Sequence, residues 1–157
     1  MSGSHYRGMQ SISSYNFAGA YCYVQLVQSP NPATAGGAML ALGKDVDNYY
    51  RIYVEAGTLI MQKIAASKIT VATLPYNSTA HSFLRIRHDN AAGNVVFETA
   101  ENAGGTPSNW VIRYTESWNT SAIPLNNILF ELKAGTWQAE MNNPNMVIFD
   151  NFRAAKP

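Results

Sequence analysis

The side chains able to do chemistry in this chain are arginines, tyrosines and carboxylates set at every second position. Arg51, Tyr53 and Glu55 alternate within residues 49–55, and Phe83, Arg85 and Arg87 alternate within residues 83–89, followed by Glu98 in the next run. Alternate residues of a strand share one face. A face of this kind offers flat rings to the C–H faces of a sugar and fixed donors and acceptors to its hydroxyls, which is the chemistry of carbohydrate recognition. The same residues also fit a solvated face on which Arg and Glu pair across strands. Trp118 lies in an irregular polar stretch and is expected to be an exposed ligand contact, while Trp110 is open to either role. The candidate carbohydrate-binding set is therefore Arg51, Tyr53, Glu55, Arg85, Arg87 and Trp118.

Catalysis and metal binding find less support. Glycoside hydrolysis needs two carboxyl groups roughly 5–9 Å apart across the scissile bond, and Glu55, Glu98 and Glu131 fall in separate runs. His81 and His88 are expected on opposite faces of one strand, so they do not converge, and no Cys/His cluster suits zinc. Cys22 is the only cysteine and sits in the apolar run 21–27, so it reads as a small buried residue with no disulfide partner and no local base. Asn77-Ser78-Thr79 and Asn119-Thr120-Ser121 match the N-glycosylation acceptor pattern, a weak signal.

These residues must be positioned by strands. Apolar/polar alternation over 49–55 is followed by Ala56-Gly57 and a run over 58–64, which predicts one hairpin; residues 83–99 around the loop 89–94 predict another. Further strands are expected within 6–28 on either side of a turn at 16–19, and over 38–42, 68–74, 110–114, 128–133 and 146–152. Loops are expected at 30–37 and 100–109, where prolines and glycines break the ladder, and the chain around Pro124 is irregular. Many short strands, regular turn signals and no helical period point to an all-β sandwich or barrel.

Composition narrows the class. The chain has 157 residues, enough for one domain with a real core; residues 1–5 look like an appended leader and 6–157 like a single domain. Only 13% of residues are charged, below the roughly 25% of ordinary soluble domains, which suits an extracellular or cell-surface module. A formal net charge of +1 favours neither nucleic acid nor an anionic membrane as partner. No apolar run approaches the roughly 18 residues of a membrane span.

The order N-Y-Y-R-I-Y-V-E-A-G-T-L (48–59), T-L-P-Y (73–76), H-S-F-L-R-I-R-H-D (81–89) with N-V-V-F-E-T (94–99), G-T-W (135–137) and V-I-F-D-N-F (147–152) resembles bacterial LamG-like modules of the concanavalin A-like lectin/glucanase superfamily. The resemblance covers most of the chain from Tyr6 onward. It implies an antiparallel two-sheet β-sandwich, a jelly roll, with one sheet curved to cradle an extended sugar chain and Arg51, Tyr53, Arg85 and Arg87 together as its floor. It also implies that Trp137 is in the core, and that a structural calcium is possible, for which Asp45, Asp47 and Asp150 are the candidates. Asp45-x-Asp47-Asn48 is at the same time a good turn, and that reading is preferred. Modules of this kind begin with a strand that pairs with the last one, and none is evident before Tyr6. The superfamily's glucanases place their carboxylates in an E-x-D-x-E run on one strand, which this chain lacks. The expectation is a non-catalytic module of a larger secreted or surface protein that binds a polysaccharide or glycan, with a structural or protein-interaction module as the alternative.

Overall fold

The structure, a computed structural model, describes residues 5–138 and 146–156. Among the described residues eleven strands follow one another: β1 (His5–Gln10), β2 (Tyr21–Gln28), β3 (Gly36–Asp45), β4 (Asn48–Glu55), β5 (Thr58–Ala65), β6 (Ser67–Pro75), β7 (Phe83–Asp89), β8 (Asn94–Ala103), β9 (Thr106–Ser117), β10 (Leu129–Thr136) and β11 (Ile148–Ala155). No helix occurs among the described residues. The strands form a six-stranded sheet in the order β1-β10-β3-β4-β5-β6 and a five-stranded sheet in the order β11-β2-β7-β8-β9, and all the pairings are antiparallel.

Turn chemistry explains the local pairings. Ala56 and Gly57 both take positive φ (46° and 71°), the conformation that lets two residues join twisted strands, so β4 and β5 pair in register from Asn48 with Ala65 to Glu55 with Thr58. At the β7–β8 turn Asp89 Oδ1 accepts from the backbone N–H groups of Ala91 and Ala92, and Gly93 takes φ 66°. The stretch 100–109, expected as a loop, is instead mostly strand. Gly104 and Gly105 form a tight turn between β8 and β9, and the break is confined to them. The first strand pairs with β10 and the last with β2, so β1 and β11 are edges of different sheets.

Period-2 alternation sends one residue set between the sheets. Cys22, Val24 and Leu26 of β2, Leu84 and Ile86 of β7, and Val95 and Phe97 of β8 meet Leu40 and Leu42 of β3, Ile52 and Val54 of β4, and Leu59 and Met61 of β5. Each large apolar side chain so buried contributes about 1.5–3 kcal/mol. Lys63 of β5 and Glu116 of β9 tie the two sheets at 2.7 Å.

Two tryptophans lie opposite to expectation. Trp118, expected to be exposed, is 6% exposed: its indole packs on Tyr50 (4.7 Å), His88 (5.3 Å) and Phe17 (5.8 Å) and donates to the Ile123 carbonyl at 2.7 Å. The polar residues after it turn outward, because Asn119 Oδ1 accepts from Ala122 N and Ser121 Oγ and so closes the chain back over the core. Trp137, expected in the core, is 50% exposed just beyond the end of β10.

Candidate functional site

The expected floor of Arg51, Tyr53, Arg85 and Arg87 does not exist as one surface. Arg51, Tyr53 and Glu55 are on β4 of the six-stranded sheet, Arg85 and Arg87 on β7 of the five-stranded sheet, and both groups point away from the shared core. They occupy opposite outer faces of the sandwich, because alternation decides which residues share a face but not which sheet a strand joins.

On the six-stranded outer face Arg51 is satisfied by its neighbours. Its Nε donates to Gln62 Oε1 at 2.7 Å, and its guanidinium lies over the Tyr53 ring at 4.3 Å and the Tyr49 ring at 5.8 Å. Tyr53 is 3% exposed, and Gln62, opposite Arg51 on β5, is fully buried. Gly37 leaves room for the Tyr6 ring, whose hydroxyl sits 3.0 Å from where a Cβ would be, with Glu55 Oε2 at 3.6 Å from the same point. Burial and the Glu55 carboxylate push the Tyr6 hydroxyl up to about 12. This face is polar and packed, with Tyr53 covered and Tyr6 and Tyr49 half-buried.

The five-stranded outer face is built differently. Tyr21 and Tyr23 stand two apart on β2, opposite Arg87 and Arg85 of β7, and Arg85 stands opposite Glu98 of β8. The Tyr21 and Tyr23 rings are stacked, 6.1 Å apart and within 3° of parallel. From β9, Trp110 reaches Tyr23 at 5.6 Å and Phe83 at 6.4 Å. Three ladder spacings, about 14 Å, separate β2 from β9, so the two rings lean together over Phe83, which is fully buried although it is on an outer face. The β8–β9 register shifts between Thr99 and Glu101, and the residue before Trp110, Asn109, takes φ 49°. A bulge of this kind re-aims the side chain next to it.

Beneath and beside these rings is a charge clasp. Glu98 Oε2 accepts from Arg85 Nε at 2.6 Å and from Arg87 Nε at 3.2 Å, and Arg87 Nη1 reaches Asp89 at 3.3 Å. The Glu98 side chain is 4% exposed. The Arg85 guanidinium lies 3.9 Å over Trp110, a cation–π contact that fixes both groups. Tyr21, Tyr23, Trp110, Arg85 and Arg87 are half-buried. The result is a pre-organised platform of three accessible rings with oriented guanidinium donors, suited to a ligand that has apolar faces and polar edges. Tyr21 and Tyr23 were absent from the sequence-derived set, although their alternation with Cys22 and Val24 places them on an outer face.

The other candidates do not converge. Asp45 Oδ1 accepts from Asp47 N and Asn48 Nδ2 in the β3–β4 turn, and these two contacts hold its carboxyl below the usual range. Asp150 is on β11 of the other sheet, so the three aspartates do not form one calcium cage, and no group of three or more His, Cys, Asp or Glu side chains able to hold a metal occurs among the described residues. His81 and His88 are both buried, and each accepts a backbone N–H at Nδ1, from Asn77 and Gly19 respectively, both at 3.0 Å. Burial lowers both, His81 to about 4. Cys22 is fully buried and burial pushes its thiol far up, so it is not a nucleophile.

No protein-family model matches the chain, and no curated protein sequence matches it. Among solved structures it is similar to a scytalido-glutamic peptidase with a transition state analog inhibitor (TM-score 0.54, 9% identity, 99% of this chain and 82% of that one). It is also similar to a functionally unknown protein from Saccharomyces cerevisiae (TM-score 0.52, 13% identity, 98% and 75%) and to toad ovary galectin in complex with thio-digalactose (TM-score 0.48, 9% identity, 96% and 98%). The peptidase overturns the expectation that this chain is not an enzyme. The same fold carries catalysis there, and the missing E-x-D-x-E run excludes one glucanase arrangement and nothing more. At these identities the likeness is one of fold, and the observed fold is the expected all-β, antiparallel two-sheet β-sandwich.

Proposed function

We propose that the chain binds a glycan on the outer face of its five-stranded sheet. One observation carries this reading: three half-buried rings, Tyr21, Tyr23 and Trp110, lie together beside two arginines that a single buried carboxylate, Glu98, holds in place. Sugar rings stack on such planes through their C–H faces while the guanidinium donors meet their hydroxyls. The parallel Tyr21 and Tyr23 with Trp110 beyond them suit an extended ligand, a polysaccharide or oligosaccharide chain met outside the cell as part of a larger secreted or surface protein. The toad ovary galectin, bound to thio-digalactose, is an example of a sugar held by a β-sandwich, and the likeness goes no further than that.

The test is binding of the purified chain to a panel of soluble and insoluble polysaccharides, alone and competed by free oligosaccharide. Saturable binding that is lost in Tyr23→Ala and kept in Arg51→Ala supports the platform. Binding lost in Arg51→Ala and kept in Tyr23→Ala would move the site to the other face. A blank panel would overturn the reading in favour of a structural or protein-interaction module.

A further inference from the structure

The edge of the sandwich where the first and last strands lie is open. Between β1 and β10 on one side and β2 and β11 on the other is a cleft of about 500 Å³, within the roughly 300–1,000 Å³ of small-molecule sites. Phe17, Phe130, Leu132, Phe152 and Ala154 line it, with the Phe130 and Phe152 rings edge to face at 6.1 Å. The core explains its depth: Phe17 is 1% exposed and Phe130 7%, so their part of the lining is the end of the hydrophobic core itself. Met9 and Phe152 at the mouth are 71% and 44% exposed, more apolar surface than a strand edge ordinarily shows to water.

The charges at the mouth are unequal. Glu131 is engaged by Lys133 Nζ at 2.7 Å and by Gln10 Nε2 at 2.9 Å. Lys156, which also lines the cleft, has no ion pair or side-chain hydrogen bond among the described residues. An apolar channel with one cation at its rim that is unpaired among the described residues is complementary to a molecule with an alkyl body and an anionic head.

We propose that this cleft binds a single-chain anionic amphiphile of the carboxylate class, its alkyl chain against Phe17, Phe130 and Ala154 and its head at Lys156. A cationic amphiphile finds no free carboxylate among the described residues lining the cleft, where Glu131 is already engaged, and an uncharged one gains only the apolar part. The site is separate from the glycan platform, with Tyr21 alone common to both, and the proposal does not rest on the glycan reading.

Calorimetric titration of the purified chain with decanoate, decanol and decyltrimethylammonium, each below its critical micelle concentration, tests it. The expected result is saturable binding of one decanoate per chain, weaker binding of decanol and none of the ammonium. Lys156→Glu weakens decanoate about tenfold, the size of one lost charge-assisted contact, and leaves decanol unchanged. Ala154→Trp fills the cleft and removes both; should that variant fail to fold, Lys156→Glu decides alone. No saturable decanoate binding, or binding indifferent to Lys156→Glu, overturns the proposal. So does self-association in sizing experiments that Ala154→Trp abolishes while decanoate stays unbound, because the occupant is then a second copy of the chain.

Discussion

The two outer faces of the sandwich use the same device with opposite results. On each, an arginine donates its Nε to an oxygen on the next strand, Arg51 to Gln62 at 2.7 Å and Arg85 to Glu98 at 2.6 Å, and lies over a ring, Tyr53 at 4.3 Å and Trp110 at 3.9 Å. On the six-stranded face the ring is underneath and 3% exposed, so the stacking surface is used up inside the protein. On the five-stranded face the ring comes from the edge strand β9, and two further rings from β2 are half-buried beside it. The two faces differ in which ring the arginine covers: the buried Tyr53 on one, and on the other the half-buried Trp110, which lies against Tyr23.

The largest break in this comparison is expected from the partners of the two arginines. Glu98→Ala leaves Arg85 and Arg87 without their shared counter-charge and costs about 3 kcal/mol by denaturant unfolding; Gln62→Ala, which removes a neutral acceptor, costs about 1–2 kcal/mol. Equal losses would show that the charge of the clasp is irrelevant to stability. Next in size is Trp110→Ala, which weakens polysaccharide binding by about 2 kcal/mol, the value of a stacked ring lost from a contact centre; Tyr49→Ala on the other face leaves the same titration curve in place.

Acid separates the sheets more gently. The buried histidines belong to the five-stranded side, His88 on β7 and His81 just before it. Both are lowered from the ordinary value near 6.5, His81 to about 4. The unfolded chain therefore takes up these protons first, so their contribution is complete above pH about 6.5 and is lost as pH falls towards about 4. A protonated Nδ1 no longer accepts from Asn77 or Gly19, a loss on the order of 1 kcal/mol per histidine. Melting curves between these pH values show it, and His81→Gln should flatten the slope; a slope unchanged in that variant would assign the acid loss elsewhere. The smallest effect is expected at Lys133, whose pair with Glu131 is partly solvated. Lys133→Ala stays within about 0.5 kcal/mol of the parent, and a larger loss would mean that the rim of the six-stranded face is load-sharing after all.

Much of the fold was legible in the chain because strand alternation is a local property. Residues 49–55 and 58–64 were read as a hairpin and are β4 and β5 to within a residue. The loop 89–94 carries the polar and glycine residues that its hydrogen bonds require. The pairing of Arg85 with Glu98 is also local, since one hairpin brings them opposite each other. The stretch 100–109 misled because two glycines and a proline look like a loop, whereas the glycines make the turn and Pro107 sits on β9, an edge strand that tolerates it.

What the amino-acid sequence determined by itself is the strand content, the two faces of each strand and the nearest-neighbour hairpins, all set by side-chain period and turn chemistry within a few residues. What only the tertiary structure decided is which sheet each strand entered. It placed β4 in one sheet and β7 in the other, dividing Arg51 and Tyr53 from Arg85 and Arg87. It brought Tyr23 of β2 against Trp110 of β9, residues distant in the chain, over a shared Phe83. It also folded Trp118 inward, where the core offered Tyr50, Phe17 and a carbonyl for its N–H. These are long-range choices made by the burial of a common core, and no local pattern encodes them.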